Sequence, residues 1–397
     1  MIVVRIAMVT TRYPYGGAEQ TAMLLVWGME TRHEVYFVTT GDEARDYEED
    51  RHRRIVLALP RYPAVWHHYW NPKVVRSLKR HLAEIRPDVV HFHSIANRTF
   101  SAQALSVSRD YPTVWSLHDV WSQCVWSASR PPDCDAMLHR CFYCTAMPVF
   151  SAVNRYLKEH AFRRADLHVI VPCEWLRSRI VNSALATKPV HVIANGVPID
   201  RFESGSRERA RRALGIPESA VVVLFAGQMM NDWKGHKDLL RIAERMLPER
   251  EDLWFVFVGR CAEPPPARRR VVFTGAVPYD AMPDYYAAGD VFAYPTHADI
   301  QAQVVLEAMA SGLPAVLHDV GGLSELVVEG ETGFVVKEGD ARTFEERLRR
   351  LAADADRRRV MGAAARRRVR DHFTLALQVR RTEEVYAQVV AERGRRT

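Results

Sequence analysis

Residues 291–318, VFAYPTHADIQAQVVLEAMASGLPAVLH, decide the fold of this chain. Two apolar runs, 291–294 and 315–318, are too short for helices and read as buried strands, while the stretch between them opens from a polar loop onto a helix. Strand, helix and strand in that order make a parallel crossover, because parallel neighbours need a connection of about a dozen residues or more. The class is therefore α/β.

Working outward, the same alternation recurs along nearly the whole chain. In the first half the expected strands are 3–9, 35–39, 55–59, 89–93, 114–117 and 167–171; in the second they are 190–194, 221–226, 254–258, 271–274, 291–294 and 315–318. Continuous apolar strands between helical segments are the pattern of a parallel sheet covered on both faces. With 397 residues the chain is too long for one core, so two doubly wound, Rossmann-like domains are expected. The expected bounds are 1–187 for the first domain, with a Cys-rich insertion at 121–147, 188–372 for the second, and 373–397 for a C-terminal helix crossing back to the first.

Composition narrows the function. Lys and Arg number 55 against 48 Asp and Glu, a net charge of +7 that is small for this length and does not imply a nucleic-acid partner. The Arg-rich runs 347–350 and 366–370 read as solvated helix faces. No apolar run reaches the length of a membrane span and no cleavage site follows the apolar start, so a cytoplasmic protein is expected. Neither Gly-x-Gly-x-x-Gly nor a P-loop occurs, which argues against nicotinamide and nucleoside-triphosphate chemistry. The segment 322–326 lacks the second glycine of a hydrolase elbow, and Asp133-Cys134-Asp135 reads as a chance Asp-x-Asp.

The loop after 291–294 carries Asp299, and Glu307 lies in the helix that follows. Eight helical positions span roughly 12 Å, and the helix start between them offers unpaired amides and a positive dipole end. A diphosphate fits such a place, with a ribose at Glu307 and a second sugar at Asp299; ordinary helix capping is the competing explanation. Lys234 and Gly235 occupy another loop, after 221–226, where the lysine would neutralise phosphate or simply face solvent. Both loops fall at the C-terminal edge of one parallel sheet, where open α/β sheets bind ligands.

These motifs, with Gly16-Gly17-Ala18-Glu19, His118-Asp119, Asn195-Gly196-Val197, Gly321-Gly322, Glu329-Gly330 and Thr332-Gly333 in order, resemble the family 4 retaining glycosyltransferases. Asp299 and Glu307 match the ends of that family's Glu-x7-Glu motif, and the likeness covers nearly the whole chain. It implies the glycosyltransferase-B architecture, two Rossmann-like domains facing across a cleft, in a polysaccharide-biosynthesis type of enzyme. It also implies a nucleotide-diphosphate sugar donor, with Glu307 on the ribose, Asp299 on the transferred sugar, and Lys234 with the amides of Val304 and Val305 on the diphosphate. Backbone around Ala276 and Val277 would take the base, Gly16 and Gly17 would approach the phosphates or acceptor, and His118 would meet the donor sugar. His118, Asp299 and Lys234 are thus the expected catalytic residues. Two departures stand out: Gln228 replaces the family's usual arginine, and Asp299 is one methylene shorter than the usual glutamate.

No well-placed covalent nucleophile is evident, so cleavage is expected to rest on electrostatic stabilisation of the leaving diphosphate, with front-face attack retaining the anomeric configuration. Lys234 and helix amides would substitute for a divalent metal, so no catalytic metal is expected. A hexosyl transfer to a saccharide acceptor carried by a membrane lipid is the leading expectation. A nucleotide-sugar epimerase or hydrolase of the same fold, or a non-enzymatic sugar-binding protein, remain as alternatives.

Two further features call for explanation. In NPKVVRSLKRHLAEIRPD, Val75, Leu78, Leu82 and Ile85 share one helix face while Lys73, Arg76 and Arg80 line another. That basic face, with Trp66 and Trp70 near, would dock on anionic lipid or would only be solvated. Cys124, Cys134, Cys141 and Cys144 would hold a structural zinc, form a disulfide or remain buried thiols, with His139 as a competing ligand.

Overall fold

The computed structural model describes residues 3–11, 16–49, 52–59, 71–95, 99–122, 148–181, 183–230, 232–263, 266 and 268–395. The chain forms two compact units, one of residues 1–195 and 375–397, the other of residues 196–374.

The first unit is built on an eight-stranded sheet. Its strands are β1 (Arg5–Val9), β2 (Glu34–Gly41), β3 (Arg45–Glu49), β4 (His52–Ala58), β5 (Val89–Phe92), β6 (Thr113–Ser116), β7 (His168–Val171) and β8 (Val190–Val192), in the order β3-β4-β2-β1-β5-β6-β7-β8. Every pairing is parallel except the edge hairpin of β3 and β4. The order reverses direction at β1, which pairs on one side with β2 and on the other with β5. Such a switch point leaves the loops after β1 and β5 splayed around a crevice at the carboxyl edge. One expectation is corrected here: the run starting at Val190 is the last strand of this first sheet, paired Val169 to Val190, and not the first strand of the second half.

Helices close both faces. The helix Pro72–Ile85 starts where Asn71 accepts from the Val74 N–H and Pro72 sets the first turn, and it buries Val75, Leu78, Leu82 and Ile85, the face read from the sequence. The terminal helix Leu375–Gly394 returns to this unit and buries Val379, Val385, Tyr386 and Val389 in the core with Met23, Val26 and Val35. Its approach is close at Gly28, where an added Cβ would strike Val379.

The second unit has six parallel strands, β9 (Val221–Ala226), β10 (Leu253–Val258), β11 (Val271–Phe273), β12 (Val291–Tyr294), β13 (Ala315–Asp319) and β14 (Gly333–Lys337), in the order β11-β10-β9-β12-β13-β14. This is the doubly wound order with its switch point between β9 and β12, which pair Val223 to Val291 and Leu224 to Phe292. The strands are buried almost without a break, hence their continuous apolar sequence. Arg211 is fully buried, yet its guanidinium is satisfied by Asp290 at 2.7 Å and by the carbonyls of Pro217, Glu218, Ala220 and Ala288. A charge that deep stays only when paired and hydrogen-bonded.

Candidate functional site

The switch point of the second unit carries the residues singled out from sequence. The loop after β9 presents Gln228, exposed, and then Lys234 and Gly235; the loop after β12 presents Asp299. These two loops are clamped. Gly235 has φ +75° and lies so close to the Pro295 carbonyl that any Cβ would overlap it, so only glycine fits both the conformation and the contact. The Thr296 hydroxyl donates to the Trp233 carbonyl at 3.0 Å, and the His297 N–H donates to the same oxygen at 2.7 Å.

Within that clamp Lys234 Nζ donates to Asp299 Oδ2 at 2.6 Å, and the Tyr294 hydroxyl donates to the same oxygen at 2.8 Å. Asp299 Oδ1 accepts the Ile300 N–H at 3.0 Å. Burial opposes the charge on Lys234, but Asp299 and Tyr294 outweigh it and hold the ammonium well above the ordinary lysine range. The sequence assigned Lys234 to a diphosphate and Asp299 to a sugar separately; the structure joins them in one ion pair. Lysine has three donors, so the pair leaves this cation further capacity toward an anion. Gly321, at φ +61°, backs Asp299 so closely that a Cβ would strike the Asp299 carbonyl, and the Gly322 N–H donates to the Ile300 carbonyl at 2.8 Å.

The helix Gln303–Ala310 follows with Ala302 at its N-cap, a residue with no side chain to cap it. The Val305 N–H turns back to the Ala302 carbonyl at 3.1 Å, so of the two amides expected to meet phosphate, Val305's is already engaged. Val304 is half-buried and Val305 fully buried. One turn in, Glu307 is only 3% exposed, its Oε2 accepting from the Tyr286 hydroxyl at 2.7 Å. Burial pushes its carboxyl up to about 7, with the Tyr286 hydrogen bond pulling the other way. The far end of this helix is held by Arg366, which donates to the carbonyls of Ala310 at 3.1 Å and Ser311 at 2.8 Å. The run 366–370 is thus not simply a solvated face: Arg366 caps the helix that carries Glu307, and Arg368 donates to the Leu326 and Glu325 carbonyls. Val277 is half-buried in the loop beyond β11.

The first unit holds the remaining expected residues at its own carboxyl edge. Gly16 caps the helix Gly17–Met29, and a Cβ on it would overlap the Glu19 carboxylate, which is buried against Gly16 and accepts from the Thr11 hydroxyl. Burial pushes the Glu19 carboxyl up. Just past β6, His118 hydrogen-bonds through Nε2 to His93 Nδ1 at 2.8 Å, and burial lowers it to about 4. Asp119, accepting the Trp121 N–H at 2.8 Å, is pushed by burial up to about 6. Lys158 stacks 3.6 Å from the Trp121 ring centroid and donates to the Trp121 carbonyl.

Cys124, Cys134, Cys141, Cys144 and His139 lie outside the described residues, as do Trp66 and Trp70. Among the described residues no group of three His, Cys, Asp or Glu could hold a metal ion, and no helix is long and apolar enough to cross a membrane. Sequence reasoning did not single out Tyr286, Tyr294, Arg366 or His93. Tyr294 ends the very strand that leads to Asp299, and that adjacency was the available signal.

Residues 15–201 match the model of Glycosyltransferase Family 4, and residues 206–368 match that of Glycosyl transferases group 1. A D-inositol 3-phosphate glycosyltransferase of Corynebacterium diphtheriae is 30% identical over 291 residues, 68% of this chain and 67% of that protein. A sulfoquinovosyl transferase of Arabidopsis thaliana is 27% identical over 81% of this chain, which spans only 60% of that relative's length. In fold, the chain is similar to sucrose-phosphate synthase of Thermosynechococcus elongatus, with a TM-score of 0.76, 18% identity and 98% and 100% of the two chains covered. It is also similar to Anabaena HepE solved with UDP-glucose, with a TM-score of 0.70, 18% identity and 97% and 100% covered. The two sheets have the glycosyltransferase-B architecture of such enzymes.

Proposed function

The chain belongs to glycosyltransferase family 4, and on that premise we propose that it moves a hexosyl group from a nucleotide-diphosphate sugar to a saccharide acceptor with retention of configuration. The observation that carries this reading is the clamped pair Lys234–Asp299 at the switch point of the second unit, next to the helix that bears Glu307. Lys234 places positive charge where a leaving diphosphate develops negative charge, while Asp299 and Tyr294 keep that ammonium charged and in place. Glu307, once ionised, accepts from ribose hydroxyls. Gln228 adds hydrogen-bond donors but no charge, so Lys234 carries the electrostatic burden that the family usually shares with an arginine.

Gly16, Gly17 and His118 act on the substrate from the first unit. The acceptor in this reading is a lipid-linked saccharide in cell-surface polysaccharide assembly, and two observations on the first unit support it. A groove of about 450 Å³ has an apolar floor, with Val75 and Leu105, and a cationic rim of Arg76, Lys79, Arg109 and Arg164. Beside it, the helix Pro148–Arg164 exposes Val149, Phe150, Val153, Tyr156 and Leu157 at helical spacing, an apolar stripe that runs on into Arg164. Anionic headgroups suit the rim and acyl chains the stripe, so peripheral attachment to an anionic membrane surface belongs to the same reading.

The test is to incubate the full chain with uridine, guanosine and adenosine diphosphate sugars, with and without lipid-linked saccharides, and to follow the anomeric proton of the product by NMR. Acceptor-dependent consumption of one donor with retained configuration supports transfer. Acceptor-independent conversion to a free sugar or an epimer would point to a hydrolase or epimerase instead.

A further inference from the structure

Three imidazoles form a column inside the first unit. His91, on β5, lies 4.3 Å from His93 between ring centroids, and His93 lies nearly parallel to His118 at 5.1 Å. His91 is satisfied at both nitrogens by hydroxyls, Nδ1 with Tyr386 at 2.7 Å and Nε2 with Ser116 at 2.8 Å. His93 and His118 share a single bond, Nδ1 of the first to Nε2 of the second at 2.8 Å. The other nitrogen of His93, Nε2, is buried on a side chain 2% exposed and meets no partner among the described residues.

Burial keeps this column uncharged: it lowers His91 to about 3 and His118 to about 4, and drives His93 well below the ordinary histidine range. A neutral imidazole carries one proton, so the shared bond admits two arrangements. With His118 Nε2–H donating, His93 must carry its own proton on Nε2, an N–H buried with nothing to receive it. With His93 Nδ1–H donating, the orphan atom is only a bare lone pair, and His118 keeps its proton on Nδ1. Buried unpaired N–H groups are rarer than under-satisfied acceptors, and the second arrangement avoids one.

We propose that His93 is a positioning residue that donates from Nδ1 to His118 Nε2 and so fixes His118 as the Nδ1–H tautomer, a hydrogen-bond donor toward a substrate oxygen. This rests on the reading of His118 as a substrate contact and adds a selectivity to it. The donor recognises a hydroxyl or ether oxygen, and it disfavours a sugar that places an ammonium group at the same point. The backbone helps to hold the device, since Trp115 Nε1–H donates to the His93 carbonyl at 3.1 Å.

The experiment is a long-range nitrogen–proton correlation spectrum of the full chain labelled with 15N-histidine at neutral pH, with the His118 signals assigned through His118→Gln. The expected result is a neutral His118 protonated at Nδ1 and bare at Nε2. In His93→Phe, which keeps a ring and removes the donor, the preference shifts to the Nε2–H form and kcat falls at least tenfold while nucleotide affinity is unchanged. In His93→Asn, whose amide nitrogen stands near the lost Nδ1, the Nδ1–H form and much of kcat return. An Nε2-protonated or cationic His118 in the wild type overturns the proposal, as does a His118 tautomer indifferent to His93→Phe. The spectrum needs no substrate, so the absence of any sugar transfer would count against the transferase reading while the tautomer is still decided.

Discussion

Lys234 Nζ and Asp299 Oδ2 stand 2.6 Å apart, 65 residues distant in sequence, on two loops that flank the switch point of one sheet. The relationship makes each residue depend on the other: the carboxylate keeps the ammonium charged in a partly buried place, and the ammonium offsets the cost of desolvating the carboxylate.

Replacing Lys234 by Ala therefore removes the cation intended for the diphosphate and leaves Asp299, among the described residues, with the Tyr294 hydroxyl and the Ile300 N–H. Loss of one charged contact in the transition state is worth a few kcal/mol, so kcat/KM is expected to fall at least ~100-fold with circular dichroism unchanged. Lys234→Arg is expected to recover little, because a planar fork does not replace a compact ammonium between Asp299 and a phosphate.

Gly235→Ala is expected to cost more than a surface change, since the new methyl overlaps the Pro295 carbonyl and the backbone holds a positive φ. Both loops must shift to admit it. The expected outcome is loss of nucleotide binding by calorimetry, with the melting temperature lowered as well.

Glu307 yields a pH prediction with a definite sign. Its folded pKa of about 7 lies above the ordinary glutamate value of 4.5, so the folded chain holds a proton that the unfolded chain has lost in that interval. Stability attributable to this group is present below about pH 4.5 and is lost as pH rises toward 7. Glu307→Gln, still able to accept from Tyr286, is thus expected to melt a few degrees above the wild type at pH 8 and level with it at pH 4.5. Nucleotide affinity runs the other way: it rises between pH 6 and 8 in the wild type, as the carboxylate forms, and is weak and flat in the variant.

Reversing two charges on the groove rim, Arg76→Glu with Arg164→Glu, tests membrane attachment. Each basic residue near an anionic surface is worth about 1 kcal/mol, so sedimentation with phosphatidylglycerol-containing vesicles is expected to drop more than ~10-fold. Activity on a soluble acceptor is expected to survive. Sedimentation indifferent to anionic lipid in the wild type would remove the membrane part of the reading.

The α/β class was legible because buried parallel strands read as short apolar runs, and 291–294 and 315–318 stand in the structure as β12 and β13. The sheet to which Val190–Val192 belongs was not legible, because an apolar run states that it is buried and not which neighbour it pairs with. Lys234, Asp299 and Glu307 could be found as motif residues. That Lys234 binds Asp299, that Tyr286 donates to Glu307 and that Arg366 caps the same helix are tertiary facts, set by packing between segments far apart in sequence. His93 and His118 illustrate the same limit, since a spacing of 25 residues carries no signal until β5 and β6 lie side by side.

The most direct measurement is calorimetric titration of the full chain with UDP, GDP and ADP, repeated on Lys234→Ala. The account predicts that one of the three nucleotides binds to the wild type with a single site and that its affinity falls at least ~30-fold in the variant, a loss of about 2 kcal/mol. Binding of a nucleoside diphosphate that is unchanged in Lys234→Ala, or no binding of any of the three to the folded wild type, would contradict it.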